Sequence, residues 1–392
     1  MTPFPVLLFL PQTTYAFDMV KGVADYAQTH ETKWDIIYSG IYRESVFRQL
    51  AMKSAMKGVI GFYTNQGIVE LFQKSKTPIV NVSARLKSVV ETIPSIVMDN
   101  RMIGQLAAKH FIDRGYPEIL FVRQGKNIFF DQEREAGFRM ECEQHGVRYA
   151  FIEKDDLLPI SFNQRRVYKE SVGRKIKALL EPYRGRSGIV VLDDFHSFKV
   201  AEMLQHLGYQ IPLDFALLGC NNEEHICLLG SQGRSSIEVN GKTIGYEAAA
   251  VLHRILKGEK GPTKPIFVRP GDVVVRQSTD ILCMEDEVVE KALDFMVNNV
   301  AETIRVNDIA RVAGVSRRVL EMRFKKFFRQ PIAKKMVEIR INKVKSLLQD
   351  SHITITQIAE LAGFSSSQRL AAVFRKYTGM TLSKYRHGVI KK

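Results

Sequence analysis

IARVAGVSRRVLEMRFKK at 309–326 and IAELAGFSSSQRLAAVFRKY at 358–377 are two copies of one pattern, and they decide how the C-terminal part of this chain folds. Ile309 aligns with Ile358, Ala310 with Ala359, Ala313 with Ala362, Gly314 with Gly363 and Ser316 with Ser365, all at an offset of 49. Beyond the glycine the offset becomes 50, matching Leu320 with Leu370, Phe324 with Phe374, Lys325 with Arg375 and Lys326 with Lys376. Each copy reads as a helix, a glycine turn and a second helix. The alanines let the two helices approach, the glycines supply the positive φ of a tight helix end, and Ser316 and Ser365 are placed to cap the second helix of each copy. Leu320 and Phe324, one turn apart, face a core and leave Arg317, Arg318, Glu321, Met322 and Lys325 outward. This is a helix-turn-helix, whose second helix enters a DNA major groove. Between the copies a helical run from Ile332 to Leu348 forms a rigid spacer, so two heads reach successive grooves about 34 Å apart.

The charge agrees. The chain of 392 residues carries a net +15, and residues 301–392 supply +14 of it with 20 basic and 6 acidic side chains. A near-neutral body with a strongly basic terminal block calls for a polyanionic partner. The hydrophobic share of 45% and the ordinary Gly and Pro content exclude disorder and leave room for two or three domains. Cys142, Cys220, Cys227 and Cys283 make no C-x-x-C pair and have no histidines at zinc spacing, so reduced thiols and no metal are expected. Neither a signal peptide nor a membrane span is legible, so the chain reads as cytoplasmic.

Upstream, short β-rich runs alternate with helical patterns. VLLFL at 6–10, WDIIYS at 34–39, VIGFY at 59–63, PIVNVS at 78–83 and SIVMDN at 95–100 are followed by EILFVRQ at 118–124, RYAFIEK at 148–154, SGIVVLDD at 187–194 and FALLGCNN at 215–222. Helices are expected over 18–29 and 43–57. Continuous apolar strands between amphipathic helices mean parallel sheets covered on both faces, and this many strands suit two sheets facing each other across a cleft. Asp99 and Asn100, Asp193 and Asp194, and Asn221 and Asn222 gather at strand ends, where they suit the hydroxyls of a small polyol and also the capping of the next helix. Arg134, in DQEREAGF, is expected at the start of an amphipathic helix. Phosphate-loop, dinucleotide-turn, nucleophile-elbow and H-E-x-x-H motifs are all missing, which disfavours an enzyme and gives no sign of a cofactor.

The repeat, and above all ITQIAELAGFSSSQRLAAVFRKYTGMTLSKYR at 355–386, resembles the DNA-binding domain of the arabinose-regulator family. The body, with VMDNRMIGQLAAKHFIDRGYPEILFV, REAGFR and VVVRQST, is similar to the ligand domains of lactose- and galactose-type repressors. Their fusion in this order is the combination found in xylose operon regulators. The resemblance implies an α/β fold: a two-lobed periplasmic-binding-protein-like sensor at 1–280, a linker at 281–287, and an all-α domain with two helix-turn-helix motifs at 288–392. It implies a sugar effector, D-xylose, held by Tyr15, Arg134, Asp193 and Asn221, where the repressors usually have Asp at the last position; Asp99 joins this set from its place at a strand end. It also implies a homodimer on double-stranded DNA that activates transcription. Arg317, Arg318, Glu321 and Met322 in the first head, and Ser367, Gln368 and Arg369 in the second, are expected to face base edges, with Ser366 also on the DNA-binding surface. Lys325, Lys326, Arg375 and Lys376 are expected to meet phosphates.

Overall fold

The computed structural model describes residues 4–40, 56–125, 127–158, 170–185, 187–230, 233–280, 286–302, 304–328, 330–348 and 353–390. The helix expected over 43–57 falls almost entirely outside the described residues, as do Cys283 and most of the expected linker. The chain divides into two compact units, Met1–Ile281 and Leu282–Lys392.

The strands of the first unit are β1 (Phe4–Phe9), β2 (Trp34–Ser39), β3 (Gly58–Gly61), β4 (Ile79–Asn81), β5 (Ile96–Met98), β6 (Glu118–Arg123), β7 (Arg148–Glu153), β8 (Ser187–Val190), β9 (Phe215–Asn221), β10 (Ser235–Glu238), β11 (Ile266–Val268) and β12 (Val273–Val274). They form a parallel sheet in the order β2-β1-β3-β4, a parallel pair β11-β5, and a sheet in the order β12-β10-β9-β8-β6-β7, in which β12 alone runs antiparallel. A bridge from Asn81 to Ser95 joins the first sheet to the pair. The result is two lobes. Their cores are made of the apolar strand residues the sequence displays: Leu7, Phe9, Val59 and Ile79 in the first, Leu120, Val122, Ile189 and Phe215 in the second. Each such side chain, fully buried, contributes about 1.5–3 kcal/mol.

The helices that frame the strand ends are α1 (Thr14–Thr29), α2 (Asn100–Ile112), α3 (Phe129–His145), α4 (Asp194–His206), α5 (Glu224–Cys227) and α6 (Gly241–Leu256). Helix α1 begins four residues before the expected 18, because the Thr13 side chain accepts the Ala16 N–H at 3.3 Å and caps it there. Likewise α3 starts at Phe129, so Arg134 stands inside the helix and not at its start. Helix α6 packs on α1 in the first lobe, although its sequence follows the second, and α2 packs on α3 in the second. The chain therefore passes between the lobes after β5, after β10 and after β11. Helices α2 and α3 touch backbone to backbone: a Cβ on Gly104 would meet the Arg134 carbonyl, and one on Gly137 the Arg101 carbonyl. This close approach fixes the height of Arg134 above the strand ends.

The second unit is all helical: α7 (Glu287–Asn298), α8 (Val306–Val312), α9 (Arg317–Phe328), α10 (Ile332–Leu347), α11 (Ile355–Leu361), α12 (Ser367–Thr378) and α13 (Leu382–Ile390). It has two cores. Ile309, Ala310, Ala313, Leu320 and Phe324 form one with α7, and their repeat partners Ile358, Ala359, Ala362, Leu370 and Phe374 form the other. The spacer α10 serves both, giving Ile332 and Met336 to the first and Ile341 and Val344 to the second. Gly314 and Gly363 adopt φ of +69° and +70°.

Candidate functional site: an interlobe cleft and two helix-turn-helix heads

In the cleft, the strand ends bring together Arg134, Asp193, Asn221 and Tyr15. Arg134 projects from α3 with its Nε donating to Asn100 Oδ1 at 2.9 Å and its Nη1 to the Leu192 carbonyl at 2.6 Å. Its guanidinium lies 5.2 Å from the centre of the Phe130 ring. Asp193 follows β8 and caps α4: its Oδ1 accepts the His196 N–H at 2.8 Å, while His196 Nδ1 lies 2.8 Å from Oδ2. Burial pushes the Asp193 pKa up, but His196 and the Arg134 charge outweigh it and hold the acid below its usual range. Tyr15 comes from the other lobe, on the first turn of α1. Burial drives its phenol pKa far up, with Arg134 pulling the other way and Cys220 adding to the rise, so the hydroxyl is neutral and lies within electrostatic reach of second-lobe groups.

Asn221 ends β9 at a φ of +101°, with Asn222 next at +50°, in backbone that asparagine tolerates better than most residues. The pair splits in role. Asn222 accepts from Arg276 Nη2 at 2.8 Å and donates its N–H to Ser236 Oγ at 2.9 Å, which fixes the turn. The Asn221 side chain instead lies beside the Glu223 carboxylate, as does that of Thr14 in the first lobe. Burial raises the Glu223 pKa against the pull of those two neighbours. Asp99 accepts the Met102 N–H at 3.0 Å as the cap of α2, the helix-end role the sequence left open. Asn100 serves Arg134 and the Met98 carbonyl, and Asp194 is buried behind the cleft. Glu223 and Thr14 were not singled out by sequence; their signal was the polar run NNEE after β9 and a pair of threonines after β1.

In the second unit, Arg317, Arg318, Glu321, Met322 and Lys325 are all exposed on α9. Arg317 Nε donates to Glu321 Oε1 at 2.8 Å, one turn apart. Arg318, Met322 and Lys325 form one stripe, whose repeat counterparts on α12 are Gln368, Ala372 and Arg375. Lys326 lies on the same helix, and its side chain is outside the described residues. On α12, Gln368, Arg369, Arg375 and Lys376 are exposed and Ser367 is half-buried. The expected cap Ser365 is a correction: Ser366 caps α12, its Oγ accepting the Arg369 N–H at 3.1 Å. The extra residue in the second turn moves the capping position by one, so Ser366 is the counterpart of Ser316, whose Oγ accepts the Val319 N–H at 3.4 Å. Ser366 is thus committed to its helix. Thr354 and Gln357 close a reciprocal capping box on α11.

A cleft rimmed by a guanidinium, carboxylates, an amide and a phenol matches the donor and acceptor pattern of a polyhydroxylated ligand. Among the described residues no group of three or more His, Cys, Asp or Glu is placed to hold a metal, and no helix is long and apolar enough to cross a membrane. Family models match along the chain: the XylR N-terminal domain over residues 6–101, a periplasmic binding protein-like domain over 108–279 and a helix-turn-helix domain over 309–388. The xylose operon regulatory protein of Haemophilus influenzae is 27% identical over 387 residues, with 97% of each chain covered. That of Escherichia coli K12 is 26% identical, with 97% of this chain and 96% of the relative covered. A solved structure described as the xylose-binding transcription activator XylR matches 98% of this chain and 99% of its own, at a TM-score of 0.62 and 25% identity. The complex of the regulator CelR with cellobiose aligns with 71% of this chain and 86% of its own, at a TM-score of 0.56 and 16% identity, a likeness of fold alone. The chain is a DNA-binding, sugar-responsive transcription regulator and not an enzyme, and it is similar over 97% of its length to xylose operon regulatory proteins.

Proposed function

We propose that this regulator takes D-xylose in its interlobe cleft and, as a cytoplasmic homodimer, activates genes of pentose catabolism from double-stranded operator DNA. Arg134, Asp193, Asn221 and Tyr15 are assigned to the sugar, with Asp99 at the margin of the site. Arg317, Arg318, Glu321 and Met322, with Ser367, Gln368 and Arg369, are assigned to base edges, Lys325, Lys326, Arg375 and Lys376 to phosphates, and Ser366 to capping α12 at the DNA-facing end. The observation that carries the sugar reading is that Arg134 is held by Asn100 and the Leu192 carbonyl next to Asp193, with the Tyr15 phenol of the other lobe within electrostatic reach. A ligand bridging them favours one closure state over the other. Such a ligand shifts the equilibrium only by its differential affinity for the two states, and the DNA heads respond to that shift.

A thermal-shift panel of D-xylose, other pentoses, hexoses and a sugar phosphate tests the reading. Ligand at about 100-fold above Kd stabilises by about 2.7 kcal/mol, which raises the melting temperature by several degrees. The expected result is a shift with D-xylose that Arg134→Ala abolishes. One observation favours a second reading, the same architecture with another sugar: Asn221 stands where the related repressors carry Asp. A flat D-xylose trace beside a response to a different sugar selects it.

A further inference from the structure

Asp194 is a buried carboxylic acid that faces away from the cleft. It is the first residue of α4, directly after the cap Asp193, and is 1% exposed. Its Oδ2 accepts the Glu223 N–H at 2.7 Å. This bond ties the turn after β8, which holds Asp193, to the turn after β9, which holds Asn221 and Glu223. The Ser236 hydroxyl and the Cys227 thiol flank the same carboxyl group, yet its Oδ1 makes no hydrogen bond among the described residues. That oxygen lies over Gly219 of β9, at the place any larger residue would put its Cβ. The strand is shaped around the acid.

The titratable groups about it are Glu223 ahead of α5, Cys227 on α5, Cys220 on β9, Arg234 ahead of β10 and Asp193 on its own turn. Arg234 spends its guanidinium on the carbonyls of Ile226 and Leu229. Burial therefore dominates. It raises the Asp194 pKa to about 7, against the pull of Ser236, the Glu223 N–H and Cys227, and the Glu223 charge adds to the rise.

We propose that Asp194 is a positioning residue of the effector cleft, whose single proton sets how firmly the Asn221–Glu223 turn is held against the Asp193 turn. The ionised acid makes a charge-assisted bond to the Glu223 N–H, and protonation weakens it. The proposal rests on the reading of the cleft as a sugar site. Binding selects the ionised form, so affinity rises with pH and a proton is released on binding, by at most about tenfold per pH unit for one linked proton.

The test is calorimetric titration of the full chain with D-xylose and the sugar panel from pH 6 to 8, for the wild type and Asp194→Asn. Wild-type affinity is expected to rise several-fold across this range, while Asp194→Asn stays flat near the wild-type value at pH 6. Titrating the wild type in buffers of different ionisation enthalpy reads the released proton directly, without any variant. The melting temperature of Asp194→Asn at pH 8 is expected to be no lower than that of the wild type, because the ionised acid is the form that burial disfavours; a purely structural role would lower it. A wild type that binds sugar without pH dependence overturns the proposal and leaves the sugar reading intact. An Asp194→Asn profile that still rises assigns the titration to Glu223 and does the same. Failure of every sugar to bind the wild type at any pH overturns both.

Discussion

Arg134 reaches the cleft with its Nε and Nη1 already committed to Asn100 and Leu192, so its orientation is set before any ligand arrives. Such preorganisation lowers the cost of binding. At Asn221 the chemistry differs from that of the repressors it resembles, and Glu223 explains how the change is tolerated. The Asn221 side chain lies beside the Glu223 carboxylate, so a negative charge stands two residues along from its usual place. Asn221→Asp would remove the amide donor and set a second carboxylate against Glu223 and Asp193. Lost and unfavourable charged contacts of this kind cost about 1.5–3 kcal/mol, so sugar affinity is expected to fall by about tenfold or more. The double variant Asn221→Asp with Glu223→Gln restores one charge and one amide, and affinity is expected to recover in part. A single variant that binds as tightly as the wild type removes Glu223 from this role.

At the scale of elements, the two helix-turn-helix copies share a sequence but not a setting. Gly314 has a φ of +69° and open space where a Cβ would stand, whereas the Cβ of a residue at 363, where φ is +70°, would meet the Val300 carbonyl and the Arg340 side chain. Gly314→Ala is expected to cost about 1–2 kcal/mol, the penalty of left-handed backbone alone. Gly363→Ala adds a clash with backbone and is expected to cost more, read as the larger drop in melting temperature by calorimetry. Equal losses would contradict the close packing behind the second turn. These elements were legible because a repeat compares the chain with itself. Strands β1 to β9 were legible too, since parallel strands buried on both faces read as unbroken apolar runs. Strands β10, β11 and β12 were not. Ser235 and Ser236 look like a loop, yet both are fully buried, and Ser235 hydrogen-bonds Ser278 and Arg276, which lie more than forty residues away. The site divides in the same way: Arg134, Asp193 and Asn221 sit at strand ends that periodicity locates. The links from Glu223 to Thr14 and Asp194 join segments distant in sequence, and only the tertiary fold brings them together.

Across the whole molecule, charge and ligand chemistry are segregated: +14 of the net +15 lies in residues 301–392, and the polar cleft lies within the 300 residues before them, whose net charge is +1. DNA affinity is therefore set largely by phosphate contacts from one unit, while the sugar adds no charge to that unit. Each neutralised phosphate contributes about −0.9 to the slope of log K against log salt. Lys325→Ala and Arg375→Ala, at equivalent repeat positions, are each expected to reduce that slope by about one and to weaken all sequences alike. Arg318→Ala and Gln368→Ala are expected to leave the slope nearly unchanged and to cost about 1–3 kcal/mol at one base position each. The same plot reads the coupling. If sugar changes how many heads engage DNA, the slope steepens on adding saturating D-xylose; if it only realigns heads already bound, the lines shift in parallel. Because the effector is uncharged and residues 301–392 carry most of the net charge, a steeper slope points to additional contacts by that basic block. Steepening is the expected outcome for a regulator whose paired heads are brought onto DNA by effector. Coincident lines with and without a sugar that binds would mean that the two units are not coupled.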